Sequence, residues 1–272
     1  MGRSRRKACQ LAGLCRASFY YKHRRKDDPR LRQRIREIAE KRRRFGQDRV
    51  YIVLRREGWK VNHKKVSRIY REEKLSLRLK RRQKRSAAVR VPLAKPTGPN
   101  QVLSMDFVFD SLASGRKFKT LTIVDDFTRE CVAIEVDFGI SGDRVTRVLE
   151  RIIEERGKLA AIRCDNGPEF TSNALDRWAY QRGVAIDFID PGKPNQNAYI
   201  ESFNGRFREE CLNDNQFVLI AEAQTVISAW RKDYNEERPH GSLNGLTPRE
   251  FAEQHTTKLQ LNSNPVPQLD LV

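Results

Sequence analysis

Three carboxylates could do chemistry together: Asp106, Asp165 and Glu201. They stand in the settings Ser104-Met105-Asp106-Phe107-Val108, Arg163-Cys164-Asp165-Asn166-Gly167 and Ala198-Tyr199-Ile200-Glu201-Ser202-Phe203-Asn204, with 35 residues between the second and the third. Hard oxygen ligands suit Mg2+, and a pair of such ions can activate one phosphate oxygen while stabilising the departure of another. A lone acid is ordinarily a solvated charge or a helix cap, so the combination carries the signal. Other acids compete. Asp125 and Asp126 close an apolar run and suit a turn or a cap. Glu169 could reach the mouth of such a site or cap the helix after Phe170. Tyr234, Arg238 and His240 invite a tyrosine-recombinase reading, but no flanking arginines are placed for it. The chain has no Gly-x-Ser-x-Gly, no phosphate-binding glycine loop and no His-Glu-x-x-His.

Charge is segregated along the 272 residues. Residues 1 to 100 carry 34 Lys and Arg against 8 Asp and Glu, a net of +26. The remainder carries 20 basic and 27 acidic residues, a net of −7, so the total of +19 conceals a basic arm on a mildly acidic body. Such an arm fits a polyanion, and no apolar stretch of ~18 residues favours a membrane. Nucleic acid is therefore the expected partner. The five cysteines are odd in number and scattered, and the four histidines lack finger spacing. Zinc is not expected, and the cysteines read as reduced thiols of a cytosolic protein, mostly packed in the core.

The elements that must hold these residues change period near residue 100. Lys7 to Ala12 and Arg16 to His23 read as two helices about Gly13, with Phe19 facing inward. This resembles the latter part of a helix-turn-helix whose first helix would lie upstream, completed by a separate reading frame. A basic disordered arm is equally compatible with residues 1–28. Across 29–85, Leu31, Ile35 and Ile38 recur at helical spacing. Val50, Val53 and Leu54 mark a second helix from about Asp48 to Glu57. Asn62 is expected to cap a third, whose core face is Val66, Ile69 and Tyr70. Lys64, Arg68 and Arg71 form a basic stripe on another face of that helix, suited to a DNA groove. Residues 86–99 read as a basic, proline-marked linker.

Beyond it, Val102 to Phe109, Phe118 to Asp125 and Glu130 to Asp137 alternate as three strands, turned at Gly115 and at Thr128-Arg129. A helix from about Arg144 to Arg156, a strand from Ala161 to Asp165, a helix from Ser172 to Gln181, a strand from Val184 to Ile189 and a helix from Asn197 to Cys211 follow. Three antiparallel strands and then alternating helix and strand make a mixed-sheet α/β core over 100–215, in the ribonuclease-H-like order. Residues 216–255 read as its helical extension and 256–272 as a tail.

The pattern also says how the carboxylates could meet. On the first strand Ser104, Asp106, Val108 and Asp110 share one side, and alternation buries the other set, Leu103, Met105, Phe107 and Phe109. Asp165 ends the fourth strand, and placing that strand beside the first would bring it to Asp106. On the last helix of the core Ile200, Phe203, Phe207 and Cys211 form the buried stripe. Asn197, Glu201, Asn204 and Arg208 adjoin it, with Arg208 two turns beyond Glu201 and able to hold DNA phosphates.

Residues from about 100 to 252 resemble the catalytic core of insertion-sequence transposases related to retroviral integrases. The likeness is closest to the second-reading-frame protein of two-frame bacterial elements. It rests on Ser104-Met105-Asp106-Phe107, Val124-Asp125-Asp126-Phe127-Thr128-Arg129, Asp165-Asn166-Gly167-Pro168-Glu169-Phe170, Pro191-Gly192-Lys193-Pro194, Glu201-Ser202-Phe203-Asn204-Gly205, Asp233-Tyr234-Asn235, Arg238-Pro239-His240 and Leu246-Thr247-Pro248-Arg249-Glu250-Phe251. Residues 29 to 80 resemble the helix-turn-helix that precedes this core. The resemblance implies a ribonuclease-H fold and two Mg2+ or Mn2+ ions held by Asp106, Asp165 and Glu201. It also implies a basic residue seven positions after the glutamate, which is Arg208. Expected DNA contacts are Lys64, Arg68, Arg71, Lys193, Asn204 and Arg208. Expected partners are double-stranded DNA, as element ends and target, the upstream-frame protein or a frameshift fusion with it, and further copies of the chain on DNA. The expected location is the bacterial cytoplasm, at the nucleoid.

The expected activity is metal-dependent phosphodiester cleavage followed by strand transfer. Two alternatives share parts of the pattern: a ribonuclease-H-like nuclease without strand transfer, and a DNA-binding regulator or truncated transposase without activity of its own. Residues 1 to 90 alone are expected to bind duplex DNA with a log–log salt slope of roughly −5 for about six phosphates, at ~0.9 each. Binding insensitive to salt would remove this account of the arm, and unchanged binding after replacing Lys64, Arg68 and Arg71 together would show the recognition helix to be misassigned.

Overall fold

The computed structural model describes residues 4–20, 28–77, 96–190 and 194–263. His23, most of the expected linker, Lys193 and the end of the tail lie outside the described residues. Arg5–Leu11 (α1) and Arg16–Tyr20 (α2) flank Gly13, whose φ of +63° supplies the left-handed turn. Phe19 does not face inward as the sequence implies. It is 51% exposed and meets Tyr20 edge-on. Among the described residues these two short helices bury only Cys9 and offer the ring no interior.

Pro29–Lys41 (α3), Gln47–Arg56 (α4) and His63–Glu72 (α5) form the three-helix unit. Asp28 caps α3 by accepting from the Arg30 N–H at 2.9 Å, with Pro29 at the first helical position. Asn62 caps α5 through the Lys64 N–H, also at 2.9 Å. Leu31, Ile35, Ile38, Val50, Leu54, Val66 and Ile69 close the core, and the buried Tyr70 hydroxyl donates to the Phe45 carbonyl at 2.9 Å.

Val102–Ser111 (β1), Lys117–Asp125 (β2) and Cys131–Asp137 (β3) pair antiparallel. Gly142–Arg156 (α6) leads to Ala161–Cys164 (β4), and Asn173–Arg182 (α7) leads to Ala185–Phe188 (β5). The sheet order is β3-β2-β1-β4-β5, with β4 parallel to β1 and β5 parallel to β4. The two hairpin turns carry positive φ at Gly115 (+82°) and Arg129 (+64°), where the sequence breaks its alternation. Ala198–Glu210 (α8), Ile220–Glu236 (α9) and Pro248–Ser263 (α10) complete the chain. Among the described residues no helix is long and apolar enough to cross a membrane.

Helices cover both faces of the sheet. Leu103, Met105, Leu121, Ile123, Ile162 and Cys164 pack under α6 and α7. Val108, Phe118, Val124 and Val136 pack under Ile200, Phe203 and Phe207 of α8 and Ala223, Ile227 and Tyr234 of α9. The expected division of β1 into an apolar and a polar side is therefore only partly right. Ser104 and Val108 are buried beneath α8, whereas Phe109, on the supposedly buried side, is 59% exposed. The strand runs past α6 and α7 but not past α8 and α9. Four of the five cysteines are buried free thiols, and Cys15 is exposed.

α9 also caps the sheet edge. Three of its side chains hydrogen-bond β3 backbone: Gln224 to the Val136 carbonyl (3.0 Å), Arg231 to the Val132 carbonyl (2.9 Å) and Asn235 to both N–H and C=O of Cys131 (2.9 Å each). An otherwise unpaired strand edge is thereby satisfied. The three-helix unit docks on the same region. Arg42 pairs with Asp233, Arg49 donates to the Pro239 carbonyl at 3.2 Å, and Arg56 reaches Glu250 at 2.6 Å and the Gly245 carbonyl at 3.1 Å. Beneath this contact the almost fully buried Arg238 grips Glu210 through two nitrogens, at 2.7 and 2.5 Å. Glu210→Gln leaves that guanidinium without its counter-charge. It is expected to cost about 3 kcal/mol and to lower Tm by roughly 10 °C in thermal denaturation; an unchanged Tm would show the pair to be incidental.

Candidate active site

Parallel pairing of β1 with β4 aligns Val102 with Ala161, Leu103 with Ile162 and Ser104 with Arg163. Asp106, within β1, and Asp165, just past β4, each stand two residues beyond the last of these pairs, so a shared register and a shared face set the two carboxylates side by side where β4 ends. Strand ends of this kind are where open α/β sheets receive ligands.

Asp106 is fixed by two donors. Its own following N–H, on Phe107, approaches at 2.7 Å, and the Asn204 amide nitrogen donates at 2.8 Å. The Asn204 oxygen in turn accepts from the Thr122 hydroxyl at 2.9 Å, and that hydroxyl also lies 3.0 Å from the Asp106 carbonyl. The amide is thus held with its nitrogen toward Asp106. Burial pushes the Asp106 carboxyl up to about 6, the two hydrogen bonds oppose the rise, and the charges of Asp165 and Glu201 add to it.

Asp165 accepts from the Gly167 N–H at 3.0 Å, and the Asn166 amide donates to the Ile189 carbonyl at 2.9 Å, tying the loop to the end of β5. A Cβ on Gly167 would stand 3.0 Å from the Asp165 Oδ1, so glycine leaves the carboxylate room. Glu201 occupies the first turn of α8 and is exposed; partial burial of its carboxyl raises its pKa. Among the described residues none of the three forms an ion pair, and no three such side chains are gathered closely enough to enclose a metal ion. The donor set nevertheless fits Mg2+, a hard ion that takes oxygen ligands: three carboxylates, of which Asp106 is destabilised by burial and then by its like-charged neighbours.

The remaining expected site residues divide. Lys64 and Arg71 are exposed on α5 and Arg68 is half-buried there. Arg68 pairs with Glu72 at 2.7 Å, and Arg71 donates to the Ser67 carbonyl at 3.2 Å. Asn204 and Arg208 face β1: Asn204 through Asp106, Arg208 through a 3.1 Å hydrogen bond to the Phe109 carbonyl. Glu169 pairs with Lys119 at 2.5 Å, and the cap of α7 is Ser172. Asp125 has the expected turn role, accepting from the N–H groups of Phe127 (2.8 Å), Thr128 (2.9 Å) and Asn100 (2.8 Å).

Asp126 does not. It is buried, accepts from the Ser104 hydroxyl at 2.6 Å and pairs with Arg163 at 3.0 Å; burial pushes its carboxyl up to about 6. Arg163 also reaches Asp187 at 2.7 Å. Sequence reasoning missed this arginine; its signal was a charge inside the apolar strand Ala161-Ile162-Arg163-Cys164. Tyr234 is no nucleophile either. It is buried, with its hydroxyl pushed up to about 12 by desolvation, beside a buried His240 pushed down to about 2 by desolvation and then by Arg238, Arg206 and Arg49.

Comparison with known proteins bears on the same regions. Models of the integrase core domain match residues 96–194 and 182–248, and a model of an HTH-like domain matches residues 26–85. The chain is 51% identical to the 31.7 kDa protein of insertion element IS407 from Burkholderia multivorans, over 93% of this chain and 91% of that one. It is 26% identical to the transposase for insertion sequence element IS904 from Lactococcus lactis, over 76% and 87%. A chain of the simian T-cell lymphotropic virus intasome, solved in complex with PP2A regulatory subunit B56 gamma, superposes with a TM-score of 0.56 and 14% identity. That match covers 88% of this chain and 79% of the other, a likeness of fold.

The raised Asp106 carboxyl has a sign that can be checked. A carboxyl raised in the folded state penalises folding progressively as pH rises from its unfolded value to its folded value of about 6, and in full above it, so at pH 7 the charged form costs stability until a cation joins it. Mg2+ is expected to raise the wild-type Tm at pH 7 by a few degrees, whereas Asp106→Asn should give little response. Equal Mg2+ shifts in both proteins would place the ion elsewhere.

Proposed function

The chain belongs to the insertion-element transposases, with an integrase core behind a helix-turn-helix-like domain, and on that premise we propose that it cleaves DNA at the ends of a mobile element and joins the freed 3′ ends to target DNA. Integrase cores are a family of polynucleotidyl transferases. The observation that carries the reading is the register of β1 against β4, which aligns Asp106 with Asp165 while α8 brings Glu201 close enough to raise Asp106. Asp106, Asp165 and Glu201 would hold two Mg2+ or Mn2+ ions, whose chemistry is to activate water or a 3′ hydroxyl for in-line attack and to stabilise the departing oxygen.

The chain's own groups then have distinct tasks. Asn204 and Thr122 hold the Asp106 carboxylate in one orientation, and positioning is the task we assign to Asn204 in place of DNA contact. Gly167 keeps the Asp165 loop clear of its carboxylate. Arg208, exposed beside β1, retains N–H groups for phosphate; Lys193, outside the described residues, is proposed as a further DNA contact. Lys64, Arg68 and Arg71 are assigned to a DNA groove. The proposed division runs 1–28, 29–85, 86–99, 100–215, 216–255 and 256–272. Duplex DNA, further copies of the chain and the upstream-frame protein are its proposed partners, at the bacterial nucleoid.

Glu201→Gln, Asp106→Asn and Asp165→Asn are each expected to lower cleavage and joining on the element's ends by roughly a thousandfold, about 4 kcal/mol of barrier, while duplex binding survives. Asp126→Asn should instead lower Tm, with the rate per folded molecule retained. A Glu201→Gln protein that joined ends at near-normal rate would sink the three-carboxylate assignment. Inactivity of the wild-type chain with and without the upstream frame would favour a DNA-binding regulator.

A further inference from the structure

On the side of α8 away from Glu201 lies a cavity of about 270 Å3 lined by Arg129, Tyr199, Ser202, Arg206, Tyr234, His240 and Ser242 among others. Ser202 and Arg206 stand roughly 100–140° around the helix from Glu201, at 100° per residue. No carboxylate lines the cavity. Arg129 lies with its guanidinium 3.5 Å over the Tyr199 ring, and its Nη1 is buried without an acceptor. Nη1 of Arg238 and Nε2 of His240, in residues only 2% and 4% exposed, are also buried without partners. Arg206 makes no hydrogen bond or ion pair with the described residues.

Positive charge outnumbers negative here. Arg238, Arg206 and Arg49 all act on His240, and Arg129 lines the same cavity; Glu210 pairs with Arg238 and also acts on Arg49, and Asp126 acts on Arg129, while Arg206 has no ion-pair partner among the described residues. Burial lowers the Arg49 pKa to about 10, and Arg238 and Arg206 push in the same direction. The Nη1 atoms of Arg129 and Arg238 are buried donors without acceptors, which is costly, and water can satisfy them without neutralising the charge. An oxyanion does both.

We propose that this cavity is a phosphate subsite, in which Arg129 and Arg206, with the hydroxyls of Ser202 and Ser242, take a backbone phosphate of bound DNA. The choice of DNA rests on the proposed function. The cavity and Glu201 share one helix, whose diameter of roughly 10–12 Å is about three base-pair rises of 3.4 Å. A strand held at Glu201 would therefore bring a phosphate a few nucleotides away to the cavity mouth.

The test uses the full chain, wild type and Arg206→Gln, with Arg129→Lys as a second variant that keeps charge but gives up the flat stack on Tyr199. In phosphate-free buffer Arg206→Gln should melt at the wild-type temperature or above, because it relieves repulsion and breaks no bond. Inorganic phosphate should raise the wild-type Tm and raise that of Arg206→Gln much less. Duplex affinity should fall roughly three- to tenfold with a salt slope shallower by about 0.9, one phosphate's share. In a duplex carrying single neutral methylphosphonate linkages, the wild type should be sensitive at one or two linkages where Arg206→Gln is not. A lower Tm for Arg206→Gln without phosphate would show a structural cation and overturn the proposal. So would equal responses of both proteins to phosphate. A phosphate response with unchanged DNA slope and linkage sensitivity would make this a free-anion site and overturn the DNA assignment. Wild-type chain that bound no duplex would instead fail the proposed function, and the inorganic phosphate titration would still decide the subsite.

Discussion

Parallel pairing of β1 with β4 is the constraint on which the rest depends. A three-residue register, ending at Ser104 opposite Arg163, decides that Asp106 and Asp165 stand abreast. A slip by one residue would turn one of the two carboxylates to the opposite face. The register is secured by a polar strap just below the site: Ser104 donates to Asp126, Asp126 pairs with Arg163, and Arg163 reaches Asp187. This chain crosses from the end of β2 over β1 and β4 to β5. Buried ionic groups are poor sources of net stability, but each must find its partner, and mispaired strands would leave Arg163 buried and uncompensated.

α8 turns that sheet into a site. Ile200, Phe203 and Phe207 seat it on Val108 and Phe118, and Asn204 and Arg208 bond it to β1 from the flank. One helix thus carries the third carboxylate, the amide that fixes the first, and on another face the arginine of a cationic cavity. The rise of Asp106 toward 6 is the electrostatic cost of that assembly: burial first, then two like charges nearby.

The basic arm is not an independent appendage. Arg42, Arg49 and Arg56, which the sequence presents as part of a uniform excess of positive charge, are spent on Asp233, the Pro239 carbonyl and Glu250. The contact lands on the segment that contains Tyr234, Arg238 and His240, whose chemical types invite a catalytic reading. Their burial gives them a scaffold role: Asn235 closes the β3 edge, Arg238 holds Glu210, and Tyr234 packs edge-on to Phe203 and His240.

Local periodicity made much of this legible in the amino-acid sequence. Alternation marked β1 to β3, helical spacing marked the buried stripe Ile200, Phe203 and Phe207, and Asn62 marked the start of α5, because each depends on residues within one or two turns of one another. The five-stranded mixed sheet followed from the same patterns and from motif resemblance. Periodicity says which side of an element is apolar, but not what covers it. Both sides of β1 proved to be covered, Phe19 had no interior to enter, and Asp126 became a buried ion-pair partner instead of a turn residue. A buried charge is settled by partners distant along the chain, so Arg163 with Asp126, Arg42 with Asp233 and Asn204 with Asp106 were decided only when the tertiary structure brought their oxygens and nitrogens within hydrogen-bonding reach.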